Sequence, residues 1–86
     1  MLSQVSMYYV CLIQSIQFSE IKYVGYTTDL KKRLQKHNEG GSIHTSRYKP
    51  WKLVVCLAFE DKGKAVFFEK YLKTQSGRAF AKKRLW

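Results

Sequence analysis

The hydrophobic pattern of the chain begins with two strand-like segments. Residues 7–13 (MYYVCLI) are aromatic, β-branched and apolar, which is typical of a largely buried strand. After a polar connection, residues 21–26 (IKYVGY) resume the strand pattern. Two strands joined by a short connection are most simply an antiparallel hairpin.

Alternation along this hairpin predicts which side chains share a face. Tyr9, Cys11 and Ile13 lie on one side of the first strand, and Tyr23 and Gly25 lie on one side of the second. Because both strands belong to one hairpin, the two tyrosines can lie on the same face of the sheet.

A helix is predicted over residues 29–37. At 100° per residue, Leu30 and Leu34 form its apolar stripe, and Arg33 and His37 lie together on the flank of that stripe. The run NEGG that follows ends the helix.

A polar, basic loop over residues 42–50 follows, and loops of this length are often functional. The next segment, residues 51–59 (WKLVVCLAF), is the most apolar of the chain. It is therefore predicted to be the central or third strand.

The C-terminal part predicts two helices. Glu60 and Asp61 can cap a helix over residues 62–74, and Ser76-Gly77 is expected to end it before a short basic helix over residues 78–85. The apolar stripe of the first helix is formed by Ala65, Phe68, Tyr71 and Leu72, and Phe80 and Leu85 anchor the second. The order β-β-α-β-α-α predicts a small α+β domain, a three-stranded antiparallel sheet flanked by helices.

Composition and charge narrow the class of protein. At 86 residues the chain is expected to form one domain, with residues 1–6 as a loosely ordered extension. The 16 Lys and Arg against 6 Asp and Glu give a net charge of +10, which favours nucleic acid as the partner over solubility alone or an acidic membrane surface. An acidic protein partner is a further alternative.

The cellular compartment is also predicted from the sequence. The chain has no apolar run long enough to span a membrane and no signal-peptide pattern, so a cytoplasmic protein is expected. Cys11 and Cys56 stand in apolar runs, which favours buried, reduced thiols over a disulfide.

Metal ligands are scarce in this sequence. It has no Cys-x-x-Cys or His-x-x-x-His pair, so a structural zinc site is not supported. Most acidic residues lie at helix starts or in loops, and only Glu69 lies at the edge of a buried face. The acids therefore allow one metal ion at most, because a two-metal nuclease needs several convergent carboxylates.

An ordered set of residues then resembles a known family. The segments Tyr8-Tyr9-Val10 and Tyr23-Val24-Gly25, followed by a helix with Arg33 and His37, look like the two-tyrosine signature of the GIY-YIG endonuclease superfamily. Downstream, Thr45, Pro50, the third strand and Ala65-x-x-x-Glu69-x-x-x-Lys73 resemble its stand-alone, single-domain bacterial members. Those members are akin to the nuclease domain of the excision-repair incision protein.

The resemblance implies a role for each matching residue. Tyr9 corresponds to the first tyrosine and Tyr23 to the second, and one of them, with Tyr9 preferred, is the general base that deprotonates water. Arg33 matches the arginine that steadies the scissile phosphate, and His37 matches the neighbouring catalytic position. Glu69 matches the sole protein ligand of one Mg²⁺ or Mn²⁺ ion, which agrees with the scarcity of acids.

The resemblance further implies DNA as the substrate, branched or structured DNA included, with a role in repair or recombination and with a protein partner as a source of specificity. Many members carry an asparagine after the metal-ligand helix, whereas the only asparagine here is Asn38, and Lys83 or Arg78 can take its place as phosphate contacts. The complete set of predicted DNA contacts is Lys32, Lys36, Thr45, Arg47, Lys49, Lys73, Arg78 and Lys83.

Simpler interpretations stand beside these roles. Tyr9 and Tyr23 are ordinary strand residues whose rings could pack in the core, and Glu69 could be the i,i+4 partner of Lys73. A binding module that keeps the basic surface but lacks turnover is the alternative to the enzyme. Metal-dependent cutting of DNA separates the two.

Overall fold

The structure is a computed structural model that describes residues 7–39 and 46–86, apart from the side chain of His37. The predicted extension at residues 1–6 and residues 42–45 of the predicted basic loop, which include Thr45, lie outside the described residues. The elements in chain order are β1 (Tyr8–Ser15), β2 (Lys22–Thr27), α1 (Leu30–Asn38), β3 (Trp51–Phe59), α2 (Lys62–Leu72) and α3 (Gln75–Arg84). The α+β class and the order β-β-α-β-α-α are confirmed.

The three strands form one antiparallel sheet in the order β2-β1-β3. The predicted hairpin is confirmed, and β1 rather than the more apolar β3 is the central strand. Position in a sheet depends on which strands pair, and β1 pairs on both sides, so that Val10 to Ile13 are all buried. As an edge strand, β3 leaves Leu53 38% exposed.

One face of the sheet is covered by α2 and α3. Val10 and Leu12 of β1 pack there with Ala65 and Leu72 of α2 and with Ala81 of α3, and all five side chains are at most 2% exposed. The predicted stripe of α2 is confirmed, since Phe68 and Tyr71 also pack against this cluster. Burial of these apolar groups is the main stabilising contribution on this face.

The junction between α2 and α3 differs from the prediction. Thr74, rather than Ser76-Gly77, separates the helices, because its hydroxyl accepts a hydrogen bond from Gly77 N at 3.1 Å and caps α3. Ser76 and Gly77 therefore lie inside α3. A side chain at Gly77 would collide with the Tyr71 carbonyl, so only glycine allows this close helix approach. Phe80 is a weaker anchor than predicted, at 39% exposed, because Ala81 takes the buried position.

The opposite face of the sheet lies under α1. Asn38, the last residue of α1, accepts a hydrogen bond from Trp51 N at 2.5 Å and donates one to Trp51 O at 3.3 Å, which ties the helix end to β3. Cys11 and Ile13 on this face are as well buried as the core, at 2% and 1% exposed. Across residues 7–39 and 46–86, no helix is long and apolar enough to cross a membrane.

Candidate active site

Arg33 of α1 lies against strand β2. Its Nη1 donates to the Tyr26 carbonyl at 3.0 Å, and its Nη2 lies 3.5 Å from the Tyr23 hydroxyl. The buried Nε has no hydrogen-bond partner among the described residues. Because a buried N–H without a partner is costly, this guanidinium edge is suited to an anionic ligand.

Gly25 makes room for this arginine. A Cβ atom at Gly25 would lie 2.7 Å from Arg33 Nη2 and 3.1 Å from Cζ. The absence of a side chain therefore lets the guanidinium lie close to the strand, which gives a physical reason for the glycine in the Tyr-Val-Gly segment.

Lys73, which follows α2, links Glu69 of that helix to Tyr23 of β2. Lys73 Nζ lies 2.5 Å from Glu69 Oε2 and 6.0 Å from the centroid of the Tyr23 ring. The Glu69 side chain is 16% exposed and that of Lys73 is 50% exposed. Tyr23 thus lies near the arginine and near the lysine that is paired with Glu69, the only acid that sequence reasoning had selected as a metal ligand.

The structure separates the two tyrosines along the hairpin. Tyr9 lies two residues before Cys11, and Tyr23 lies two residues before Gly25. Because Cys11 and Gly25 pair across the two strands, both tyrosines lie on the face of the sheet that carries this pair. However, Tyr23 pairs with Ile13, which is four residues along β1 from Tyr9, a distance of about 13 Å at 3.3 Å per residue. Tyr23 therefore lies near Arg33 and Lys73, whereas Tyr9 is separated from Tyr23 along the hairpin.

Cys11 occupies the position between the tyrosines. It pairs with Gly25 on β2 and with Cys56 on β3, and both cysteines are free thiols. Burial raises the pKa of the Cys11 thiol, an effect that the nearby Arg33 guanidinium partly opposes. Burial likewise raises the pKa of Cys56. Both groups therefore stay protonated near neutral pH and behave as packing residues.

The other predicted contacts lie at different places on the surface. Lys32, Lys36 and Arg33 line a cavity of about 460 Å³ at the start of α1, together with Thr27, Thr28 and Asp29. Arg47 and Lys49 are exposed before β3, and Lys83 is exposed on α3. His37 follows Arg33 by one turn of α1, and its side chain lies outside the described part of the chain.

A second cavity, of about 400 Å³, lies along the edge of β2 and contains residues that sequence reasoning missed. Lys73 and Arg78 were predicted contacts, whereas Lys22 and Trp86 were not. Lys22 Nζ lies 5.3 Å from the centroid of a Trp86 ring. The only sequence signal was a tryptophan after a basic helix, and the strand that it meets could not be identified from sequence.

The acids fit a metal site with a single protein ligand. Groups of three or more potential ligands are absent from the described residues. Glu69 already holds one positive charge, that of Lys73, and this lysine is exposed enough to move away. One carboxylate, water and substrate phosphate oxygens form a coordination set that Mg²⁺ accepts.

Comparisons with known proteins agree with this fold and site. The sequence profile of the GIY-YIG catalytic domain matches residues 7–84. The chain therefore belongs to the GIY-YIG domain family, which is a nuclease family that acts on nucleic acid and typically uses a divalent metal.

Its relatives share a name that states no specific function. A UPF0213 protein of Lactococcus lactis is 44% identical over 52 residues, which are 59% of this chain and 53% of that protein. One from Streptococcus agalactiae is 41% identical over 58 residues, which are 66% of each chain. The matched segment thus spans about half of the lactococcal protein.

A solved structure shows the same fold. The solution NMR structure of a UPF0213 protein from Bacillus halodurans is 29% identical in sequence, with a TM-score of 0.54. The similarity covers 90% of this chain and 83% of that one. The GIY-YIG fold expected from the sequence is therefore confirmed.

Proposed function

We propose that this protein is a metal-dependent endonuclease that hydrolyses DNA phosphodiester bonds. The observation that carries the proposal is the Tyr23–Arg33 contact, which Lys73 links to the Glu69 carboxylate, with the buried Arg33 Nε left without a partner among the described residues. A phosphate group at this point would satisfy that N–H and neutralise the guanidinium.

Each residue has a distinct task in this reaction. Arg33 binds the scissile phosphate and stabilises the charge that develops on its oxygens, from a position already oriented by Tyr26 O and Gly25. Tyr23, held near two cations, takes the proton of the attacking water. We assign the base to Tyr23 rather than Tyr9, since Tyr23 is the tyrosine that lies beside Arg33.

Glu69 would hold the divalent cation, Mg²⁺ or Mn²⁺. A bound ion would supply positive charge for the leaving 3′-oxygen. In the structure Lys73 forms an ion pair with the Glu69 carboxylate. A bound cation would neutralise that carboxylate and leave Lys73 free to contact a phosphate. His37 keeps its proposed catalytic role on the same helix as Arg33, and Tyr9 keeps a supporting place on the same sheet face.

The DNA path follows from the cations beside this site. Lys32 and Lys36 lie on one side of Arg33, and Lys73 and Arg78 line the cavity on the other. Arg47, Lys49 and Lys83, with Thr45, would contact DNA further from the cleaved bond. With about six phosphate contacts, log affinity should fall with log salt at a slope near −5 for duplex DNA.

The biological setting is a further part of the proposal. By its likeness to the excision-repair nuclease domain, the protein would act in the cytoplasm in DNA repair or recombination. Branched or otherwise structured DNA is the proposed substrate, and a protein partner would add specificity.

One experiment separates the enzyme from the alternative, a nucleic-acid-binding module without turnover. The protein is incubated with supercoiled, branched and single-stranded DNA, with Mg²⁺, with Mn²⁺ and with a chelator. Cutting that requires the metal supports the enzyme. Salt-dependent binding without cutting in any metal supports the module, and a salt slope near zero contradicts both.

A further inference from the structure

The cavity along the edge of β2 has the chemistry of a nucleotide site. Its lining includes the apolar residues Val24 and Leu72 and two aromatic residues, Tyr23 and Trp86. A volume of about 400 Å³ lies within the range of small-ligand sites. A lining of apolar and aromatic side chains suits a flat, unsaturated ring.

Cations predominate around the cavity. Lys22, Lys73 and Arg78 line it, no acidic residue is part of the lining, and Glu69 offsets only the charge of Lys73. All three cations are exposed, so their side chains can turn towards a bound phosphate. The ammonium of Lys22, the first residue of β2, already lies over the Trp86 ring. A cation of β2 and the indole therefore lie close together in this cavity.

The cavity also shares two residues with the proposed active site. Tyr23 and Lys73 line it, and the same residues contact Arg33 and Glu69 respectively. A nucleotide in the cavity would therefore be a neighbour of the phosphate held by Arg33.

We propose that this cavity binds an unpaired nucleotide of the substrate strand, with its base stacked on Trp86 and its phosphate held by Lys22 and Arg78. The inference rests on the proposed function in taking nucleic acid as the ligand. In a duplex the faces of each base are covered by its neighbours, so only an unstacked or single-stranded base can offer a face to an aromatic side chain. The preferred substrate is therefore DNA with a single-stranded or distorted segment at the cut.

The test is a binding measurement that needs no cleavage. A fluorescently labelled oligothymidylate and a blunt duplex of the same length are titrated with protein in the presence of a chelator. The variants are Trp86→Leu, which keeps a smaller apolar side chain without an aromatic face, and Trp86→Phe, which keeps an aromatic face. Phe67→Ala is the matched control, because Phe67 is 75% exposed on α2 and does not line the cavity.

We expect Trp86→Leu to weaken binding of the single strand by about 5- to 100-fold, with duplex binding within twofold of the wild type. Trp86→Phe should recover most of the loss, and Phe67→Ala should bind both ligands normally. A thermal melt of each variant checks that it folds. Should Trp86→Leu be unfolded, the comparison is made with Lys22→Gln, which should lose several-fold more affinity for the single strand than for the duplex.

Two results would overturn the inference. One is wild-type binding of the single strand by folded Trp86→Leu or by Lys22→Gln, and the other is an equal loss on both ligands. Failure of the proposed endonuclease function is a separate result: a protein that cuts nothing in any metal but shows the Trp86 dependence retains this binding site. A protein that cuts without that dependence retains the function and loses the inference.

Discussion

The two faces of the sheet are stabilised in different ways. On the face under α2 and α3, Val10 and Leu12 pack with helix side chains in a cluster that contains no charge. On the face under α1, equally buried Cys11 lies beside a guanidinium, and the strand position opposite it is a glycine. One strand thus supplies a hydrophobic core to one side and a polar site to the other.

This difference predicts how substitutions on each face affect the protein. The apolar face depends on shape, since a small change of volume there alters packing that extends over three elements. The polar face depends on the placement of a few groups, because Arg33 must reach Tyr23 and leave one N–H for a ligand. Substitutions on the first face should therefore lower stability, whereas those on the second should lower activity.

The largest effect is expected at Glu69. Glu69→Ala removes the proposed sole metal ligand and should lower cleavage by 10³-fold or more, on the order of several kcal/mol of transition-state stabilisation. DNA binding should stay equal or become slightly tighter, because a negative charge is lost. Rates of plasmid cutting in Mg²⁺ and binding in a chelator measure the two effects.

Glu60→Ala is the control for this variant, since Glu60 is an exposed acid just after β3. It should cut at the wild-type rate. If Glu69→Ala also cuts normally and only melts slightly earlier, Glu69 is no more than the ion-pair partner of Lys73, and the metal assignment is wrong.

The tyrosines sharpen the comparison within the polar face. Tyr23→Phe removes one oxygen with little change in volume and should slow cleavage by about 10²- to 10⁴-fold. Tyr9→Phe should lose less activity than Tyr23→Phe, because Tyr9 lies about 13 Å along the hairpin from Tyr23. Rates of plasmid cutting by the two variants in Mg²⁺ measure the difference. The opposite order of the two rates would return the base to Tyr9, and two fully active variants would exclude a tyrosine base.

Substitutions at two glycines, Gly25 under α1 and Gly77 in α3, compare the two faces of the sheet. In Gly25→Ala the new Cβ would meet the flexible end of Arg33, so the protein should fold with little change in Tm while cleavage falls by about 10²-fold. In Gly77→Ala the new Cβ would meet the Tyr71 backbone, which cannot move alone. That variant should lose about 1–3 kcal/mol of stability, or roughly 4–8 °C of Tm for each kcal/mol. Equal effects of the two variants on both Tm and rate would contradict the division between the faces.

The smallest effects are expected at two helix caps. The Asp61 carboxylate accepts a hydrogen bond from Lys64 N at 2.8 Å, and that of Asp29 accepts one from Lys32 N at 3.0 Å. Replacing either by Ala should cost about 0.5–2 kcal/mol in a thermal melt. Only Asp29→Ala should also tighten DNA binding, since Asp29 lines the basic cavity at α1. Identical salt-dependent affinities for the two variants would argue against a DNA path across α1.

Much of the fold could be predicted from local pattern alone. Alternation in β1 and β2 identified the hairpin and its faces, and the residues of β3 were predicted from 51 to 59 as observed. Asp61 was identified as a cap, and Ala65 and Leu72 as core residues, because capping and helical periodicity are encoded within a few residues.

Other features depended on contacts between distant residues. The strand order placed β1 in the centre although β3 is more apolar, because a central position requires pairing on both sides. Thr74 rather than Ser76-Gly77 separates the last helices, since the close approach of Gly77 to Tyr71 belongs to the packed helix pair.

For the candidate site, the sequence by itself determined the residue types and their order, including Tyr23, Gly25, Arg33 and Glu69, and hence the family. Only the tertiary structure decided which of them meet. Register is a property of two strands, so the separation of Tyr9 from Tyr23 could not be obtained from the spacing in one chain segment. The meeting of Lys22 with Trp86 across the edge of β2 is likewise a long-range contact, formed because α3 folds back beside the first hairpin.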